Sequence, residues 1–238
     1  MVMQGLAKSR EQAGSLLMSG KVFVNQKRVE KSGQQVPIDS KIDLKGKTHP
    51  WVSRGGIKLE KAILEFNLNC ESVTALDIGA STGGFTDVLL ANGAYKVYAV
   101  DVGYGQLDWK LRQDKRVIVK EKTNARFLTN QIITEPLDVI VCDASFISLK
   151  KVLPSGLKLL KNNGWLAALI KPQFEVGKGL VGKGGVVRNS ELHKEVKNDI
   201  KNWVQFEMKM NLLGIVDSPI LGPSGNKEFI IVATKLLN

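Results

Sequence analysis

The sequence predicts an α/β protein, a mostly parallel sheet covered by helices on both faces, preceded by a small basic α+β module. Three observations predict it. From Val73 onward, apolar runs of strand length alternate with helical stretches, as in a chain of βα units. Residues 1 to 60 hold 11 basic against 5 acidic side chains, so a quarter of the chain carries more than half of the net charge of +11. At 238 residues, 43% apolar and 24% charged, the composition is that of an ordinary globular chain with length for one to two domains.

That composition excludes several classes. The chain is too hydrophobic for intrinsic disorder and too long to depend on disulfide staples. Cys70 and Cys142 stand far apart with no C-x-x-C pair, so zinc ribbons and disulfide frameworks are not expected and a reducing, cytoplasmic compartment fits. His49 and His193 have no partner histidine at ligand spacing, and both are expected at the surface with no metal bound. The apolar runs Trp165 to Ile170 and Phe229 to Thr234 fall far short of the ~20 residues of a membrane helix. The N-terminus has no apolar signal core, so neither secretion nor membrane insertion is expected. A pI near 9.6 instead directs attention to polyanions, because clustered Lys and Arg release counterions when they meet phosphates.

In the basic module, residues 1–45, Ser9-Arg10-Glu11-Gln12 has the form of a capping box, and the helix it opens ends by Gly20. Lys21-Val22-Phe23-Val24, a polar turn at Asn25-Gln26 and Arg28-Val29 read as a short hairpin, with Gly33 to Leu44 continuing in strand-like pieces. Residues 46–52 are the expected linker. Ser53 is expected to cap a helix whose Leu59, Ala62, Ile63 and Phe66 share one face. Seven strands follow: Val73 to Ile78, Lys96 to Val100, Arg116 to Lys120, Leu137 to Cys142, Gly164 to Ile170, Asn211 to Val216 and Lys227 to Thr234. Helices are expected near Gly84 to Ala91, Lys150 to Leu160 and Asn189 to Phe206.

Ser9-Arg10, Ala13, Gly20 and Lys21-Val22-Phe23-Val24-Asn25 resemble the core of the S4 RNA-binding domain. The resemblance implies that Ser9, Arg10, Lys21, Asn25, Lys27 and Arg28 meet folded RNA. Only Met1 to Lys8 precede this core, which implies an abbreviated first helix.

The strand ending at Leu76-Asp77-Ile78-Gly79 runs into Ala80-Ser81-Thr82-Gly83-Gly84-Phe85. Such a glycine-rich turn lets backbone approach a ligand and aims helix N–H groups at it. Its Gly-x-x-x-Gly-Gly spacing is not that of a dinucleotide-binding loop. Asp101, at the end of the next strand, can accept both hydroxyls of a ribose, so the pair favours an adenosine-type cofactor. Leu76 to Asp87 resembles motif I of the FtsJ-related methyltransferases. That likeness implies S-adenosylmethionine held by Asp77, Gly79, Ala80, Ser81, Thr82, Gly83, Phe85, Asp101, Val102 and Asp143, with Asn124 and Ala125 beside the adenine. It also implies a Rossmann-like, seven-stranded sheet whose last strand is antiparallel.

Ligands gather at the carboxyl ends of strands in such sheets. Asp143 and Lys171 end the fourth and fifth strands, Glu228 opens the last, and Lys58 precedes the cofactor strand. These four match, in order and strand position, the Lys-Asp-Lys-Glu tetrad of the FtsJ-like 2′-O-methyltransferases. A hydroxyl must lose its proton as it attacks a methyl group, and an ordinary lysine, with a pKa near ~10.4, is charged at neutral pH. Desolvation, a neighbouring lysine and a sulfonium all disfavour an ammonium. The resemblance assigns the base to Lys171, with Asp143, Glu228 and Lys58 supporting it. The sequence Asp143-Ala144-Ser145-Phe146 lacks the Pro-Pro-aromatic step of amino-methylating enzymes. Cys142 alternates with Asp143 along the strand and is expected in the core rather than as a nucleophile.

Gly177 to Gly184 approximates a P-loop but has glycine where a magnesium ligand belongs, so ATP hydrolysis is rejected. It reads as a basic lid, with Lys178, Lys183, Arg188 and also Arg54 facing RNA. The S4-like head, Ser53-Arg54-Gly55-Gly56, Asp101 to Leu107 and Lys171-Pro172-Gln173-Phe174-Glu175 together are similar to the TlyA family along nearly the whole chain. Its members are described as ribosomal RNA cytidine 2′-O-methyltransferases and as hemolysins. The resemblance implies ribosomal RNA, or a ribosomal subunit, as partner, with the large-subunit RNA favoured by the short N-terminus. A membrane-lytic protein and a non-catalytic RNA-binding module are the rival readings.

Overall fold

In the computed structural model the chain forms two compact units, Met1–His49 and Pro50–Asn238. The structure describes all residues except 8, 19, 30, 38, 45–48, 223–224 and 237–238, and the side chain of residue 178. Residues 46–48 of the expected linker therefore lie outside the described residues, as does the Lys178 side chain.

The first unit packs helix α1 (Arg10–Met18) with strands β1 (Val22–Val24), β2 (Lys27–Arg28) and β3 (Ile42–Leu44), ordered β2-β1-β3 and antiparallel throughout. Ser9 caps α1, its Oγ accepting from the Gln12 N–H at 3.1 Å. The hairpin turn places Asn25 and Gln26 at φ 48° and 68°, the left-handed pair that a two-residue turn matched to strand twist requires. Ahead of α1, Leu6 N–H closes a turn onto the Met1 carbonyl.

The second unit runs α2 (Gly55–Phe66), β4 (Thr74–Ile78), α3 (Gly84–Ala91), β5 (Lys96–Val100), α4 (Trp109–Arg112), β6 (Val117–Lys120), β7 (Leu137–Cys142), α5 (Leu149–Val152), α6 (Pro154–Leu159), β8 (Leu160–Ile170), α7 (Pro172–Glu175), α8 (Ser190–Asn202), β9 (Met210–Asp217) and β10 (Phe229–Lys235). Its seven strands are ordered β6-β5-β4-β7-β8-β10-β9, with β10 antiparallel to both neighbours and β4 to β8 mutually parallel. Alternation along each strand feeds two cores. Leu76, Ile78, Ile140 and Cys142 face one layer, while Ala75, Val139 and Val141 face the other beside Leu59 of α2 and Val88 of α3. Strands are added on one side of β4 (β5, β6) and then on the other (β7, β8), so the order switches there and the carboxyl ends of β4 and β7 border a crevice.

Three expectations are corrected in detail. The helix expected over Lys150 to Leu160 breaks at Leu153 into α5 and α6, because Pro154 has no N–H to continue the ladder. Ser53 does not cap α2 with its side chain; its carbonyl accepts from the Gly56 N–H. His49 and His193, both expected at the surface, are half-buried; the Nε2 of His193 lies 2.8 Å from the Val187 carbonyl and its ring is edge-on to Phe229. Cys142 is fully buried and its thiol is pushed up to about 12 by that burial. It is therefore a core residue and no nucleophile at neutral pH.

Candidate functional site

The glycine turn joins β4 to α3. Gly79 stands at φ 80°, and a Cβ built there would lie 2.9 Å from the Ala144 Cα, so only glycine lets the β4 and β7 ends approach this closely. Ser81 follows at φ 48° and Gly83 at φ 95°. Just inside the turn, Asp77 points toward α3, and its Oδ2 accepts from both the Thr86 N–H (3.0 Å) and the Thr86 hydroxyl (2.7 Å). Its Oδ1 is buried with no hydrogen-bond partner. Burial, opposed by the Thr86 hydrogen bond, pushes this carboxyl up to about 7. Asp77 borders a cavity, and a buried carboxylate oxygen without a partner is suited to an ammonium ligand.

Asp101 closes the other side of the turn. Its Oδ2 accepts from the Ser81 N–H at 2.8 Å and its Oδ1 from the Gly103 N–H at 2.7 Å. Both oxygens thus shape the loop, and each retains a second lone pair for a hydroxyl. A cavity of about 1190 Å³ opens beside it, lined by Gly79, Asp101, Val102, Asn124, Ala125 and Phe146 among others. Val102 is exposed at its edge, whereas Ala125 is buried and Asn124 caps the following turn by accepting from the Arg126 N–H. Phe146 is 89% exposed, its ring 5.1 Å from that of Phe174.

A second cavity, about 270 Å³, adjoins the first through Gly79, Ser81, Asp143 and Ser145. Its lining includes Arg54, Lys58, Asp77, Ala80, Thr82, Phe85 and Lys171. Here the four residues picked from β-strand ends and α2 converge. Lys58 Nζ donates to Glu228 Oε2 at 2.7 Å and to Asp143 Oδ2 at 3.2 Å. Lys171 Nζ pairs with Asp143 Oδ1 at 2.5 Å and donates to the Asp143 carbonyl at 3.1 Å and to Ser145 Oγ at 2.9 Å. Asp143 therefore bridges two amino groups, and two amino groups face two carboxyl groups. Lys58 and Lys171 are each 5% exposed and Glu228 1%, so water screens these pairs poorly. Glu228 stands one residue before β10, where a Cβ on Gly222 would run into its carboxyl group. The residues present fit S-adenosylmethionine: a glycine cradle without side chains, an unpaired carboxylate oxygen, and an acid at the ribose-side strand end.

Sequence reasoning gave no role to Ser145 and Glu175, which line the larger cavity, or to Thr86, which holds Asp77 from within α3; each acts through a partner at least nine residues away. Glu175 accepts from Ser148 Oγ at 2.6 Å and from the Leu149 N–H at 2.9 Å, tying the turn after Lys171 to the loop after Asp143. Burial raises its carboxyl above the usual range, opposed by those hydrogen bonds.

The residues expected to meet RNA are placed as follows. Arg10, Lys27 and Arg28 are exposed and Lys21 is half-buried. Ser9 serves as a helix cap, and Asn25 Oδ1 accepts from the Lys41 N–H at 3.1 Å. In the second unit Arg54, Lys183 and Arg188 are exposed. The glycine-rich segment forms two single turns, Lys178–Leu180 and Lys183–Gly185. Asn226 pins its end, accepting from the Val187 N–H at 3.1 Å and donating to the Gly185 carbonyl at 2.9 Å.

Comparison with known proteins assigns the fold to a family. Residues 51–235 match the model of the FtsJ-like methyltransferases and residues 1–42 that of the S4 domain. The 16S/23S rRNA (cytidine-2′-O)-methyltransferase TlyA of Mycobacterium tuberculosis is 44% identical over 97% of this chain and 86% of its own. Hemolysin A of Brachyspira hyodysenteriae is 40% identical over 95% of this chain and 94% of its own. A solved structure from Streptococcus thermophilus, also named as a hemolysin, superposes with a TM-score of 0.80 at 43% identity, covering 98% of this chain and 86% of that one. The fold alone is shared with Aeropyrum pernix fibrillarin, solved with S-adenosylmethionine, at a TM-score of 0.53 and 16% identity over 85% of each chain. This chain therefore belongs to the FtsJ-like methyltransferases, in the TlyA group that carries an S4 domain ahead of the transferase domain.

Proposed function

We propose that the protein transfers a methyl group from S-adenosylmethionine to the 2′-hydroxyl of a cytidine ribose in ribosomal RNA. The observation that carries this reading is the single ion-paired group formed by Lys58, Asp143, Lys171 and Glu228 beside the glycine turn. Asp77, Gly79, Ala80, Ser81, Thr82, Gly83 and Phe85 would hold the amino-acid end of the cofactor, and Asp101, Val102, Asn124 and Ala125 its nucleoside. When bound, that group supplies an electrophilic methyl on a sulfonium. Lys171 removes the hydroxyl proton. Asp143 fixes the direction of both amines, and Glu228 holds Lys58 so that its charge stays next to the site. Such buried, preorganised charges act where little water screens them. Cytidine as the target draws support from the printed activity of the Mycobacterium tuberculosis relative, and RNA from the S4 match. A ribosomal substrate places the protein in the cytoplasm, and among the described residues no helix is long and apolar enough to cross a membrane.

The test is isotope-labelled methyl transfer to purified ribosomal RNA and to each subunit, with the product mapped by mass spectrometry. Methyl groups on cytidine ribose are expected, and Lys171→Ala lowers the rate at least ~100-fold, the range of a lost general base. Methyl groups on a base atom, or an unimpaired Lys171→Ala, refute the proposal.

A further inference from the structure

Of the three groups around Lys171 Nζ, one can pass a proton. The Asp143 carbonyl, 3.1 Å away, and the Asp143 carboxylate, 2.5 Å away, are acceptors only. Ser145 Oγ, 2.9 Å away, both accepts and donates. Accessibility separates them further. Lys171 is 5% exposed and does not line the larger cavity. Ser145 is exposed and lines both cavities. Ser145 is therefore open to a ribose from either cavity, whereas Lys171 borders only the smaller one. The loop that carries Ser145 is anchored on its N-terminal side by the Asp143 N–H, which donates to the Ile78 carbonyl at 3.1 Å. Phe146, next along the loop, stands at φ 65°, a left-handed conformation that aromatic residues rarely adopt. Beyond it, Ser148 and the Leu149 N–H are bound by Glu175.

We propose that Ser145 is a catalytic hydroxyl relay between the substrate 2′-hydroxyl and Lys171, an inference that rests on the function proposed above. The 2′-O–H bond breaks and its proton goes to Ser145 Oγ, while the Ser145 proton passes to the amine lone pair of Lys171. The freed oxygen pair bonds to the methyl carbon, and the carbon–sulfur pair departs with sulfur. Charge balances, since amine becomes ammonium as sulfonium becomes sulfide. Direct contact between the 2′-hydroxyl and Oγ also means that Ser145 binds the substrate it deprotonates.

Two measurements test the relay on the full-length protein, using a ribosomal RNA fragment that contains the nucleotide methylated by wild type. In single-turnover methylation, Ser145→Ala is expected to fall at least ~10-fold with cofactor affinity by calorimetry unchanged, while Ser145→Thr, which keeps the hydroxyl, stays within about 3-fold of wild type. Without cofactor, a 2′-deoxy substitution at the target is expected to weaken RNA binding about 3- to 10-fold for wild type and not at all for Ser145→Ala, the effect of one lost hydrogen bond. An undiminished rate for Ser145→Ala, a Ser145→Thr rate as low as that of Ser145→Ala, or equal deoxy discrimination by both proteins overturns the relay. Absence of ribose methylation by wild type instead overturns the underlying function.

Discussion

Burial pushes the Asp77 carboxyl up to about 7 from an ordinary 3.8, and the sign of the consequence follows. Between those values the folded protein binds more protons than the unfolded chain, so the stability this group lends is present below pH 3.8 and lost as the pH rises through about 7. Asp77→Asn keeps an acceptor for Thr86 and removes the titration. Its Tm at pH 8 is expected to exceed that of wild type in cofactor-free scanning calorimetry, with the difference vanishing toward acid pH. Cofactor affinity is expected to rise with pH through about 7 in wild type only, since an ionised Oδ1 is the partner an ammonium needs; a parallel profile in Asp77→Asn would contradict that role. Gly79→Ala meets the Ala144 backbone. A loss of about 1–3 kcal/mol is expected in urea unfolding, together with weakened cofactor binding.

Elements bring these residues together, and their connections decide how firmly. Lys58 lies on α2 and Glu228 170 residues later at the foot of β10, yet they form a 2.7 Å pair with Glu228 almost wholly buried. Removing one partner of a buried pair strands the other's charge. Lys58→Ala is thus expected to cost about 3–5 kcal/mol in chemical denaturation, whereas an exposed pair such as Lys194–Glu191 contributes below ~1 kcal/mol. The glycine-rich segment was legible as a basic loop from its composition, but not its anchoring, because the Asn226 side chain that holds it comes about forty residues later. Asn226→Ala is expected to speed hydrogen exchange at the Val187 amide by at least tenfold, a change of about 1.4 kcal/mol in local opening. Unchanged protection there would show that the neighbouring backbone holds the segment by itself.

For the molecule as a whole, charge is divided unequally between two units. Arg10, Lys21, Lys27 and Arg28 are carried on one small unit, remote in sequence from the cofactor turn. Replacing Arg10 and Lys21 together is expected to weaken RNA binding and reduce its salt dependence by about 0.7 per lost phosphate contact, measured by titration at several salt concentrations, with cofactor affinity unchanged. The hemolysin names among relatives make a further comparison useful. Release of dye from liposomes by the purified protein, undiminished by Lys171→Ala, would point to an activity separate from methyl transfer.

Local patterning determined much of this by itself. Strand periodicity placed β4 to β10 with every boundary but the start of β8 within two residues, and the glycine spacing picked out the turn between β4 and α3, because side-chain alternation and backbone freedom are properties of a few consecutive residues. The tetrad could be named from strand position and family likeness, but whether its tips meet depended on sheet order, which sequence-local forces do not set. Only the tertiary structure decided that Asp143 bridges both lysines, that Ser145 completes the shell of Lys171, and that Asp77 retains an unpaired oxygen. Those outcomes depend on which distant chain segments exclude water together.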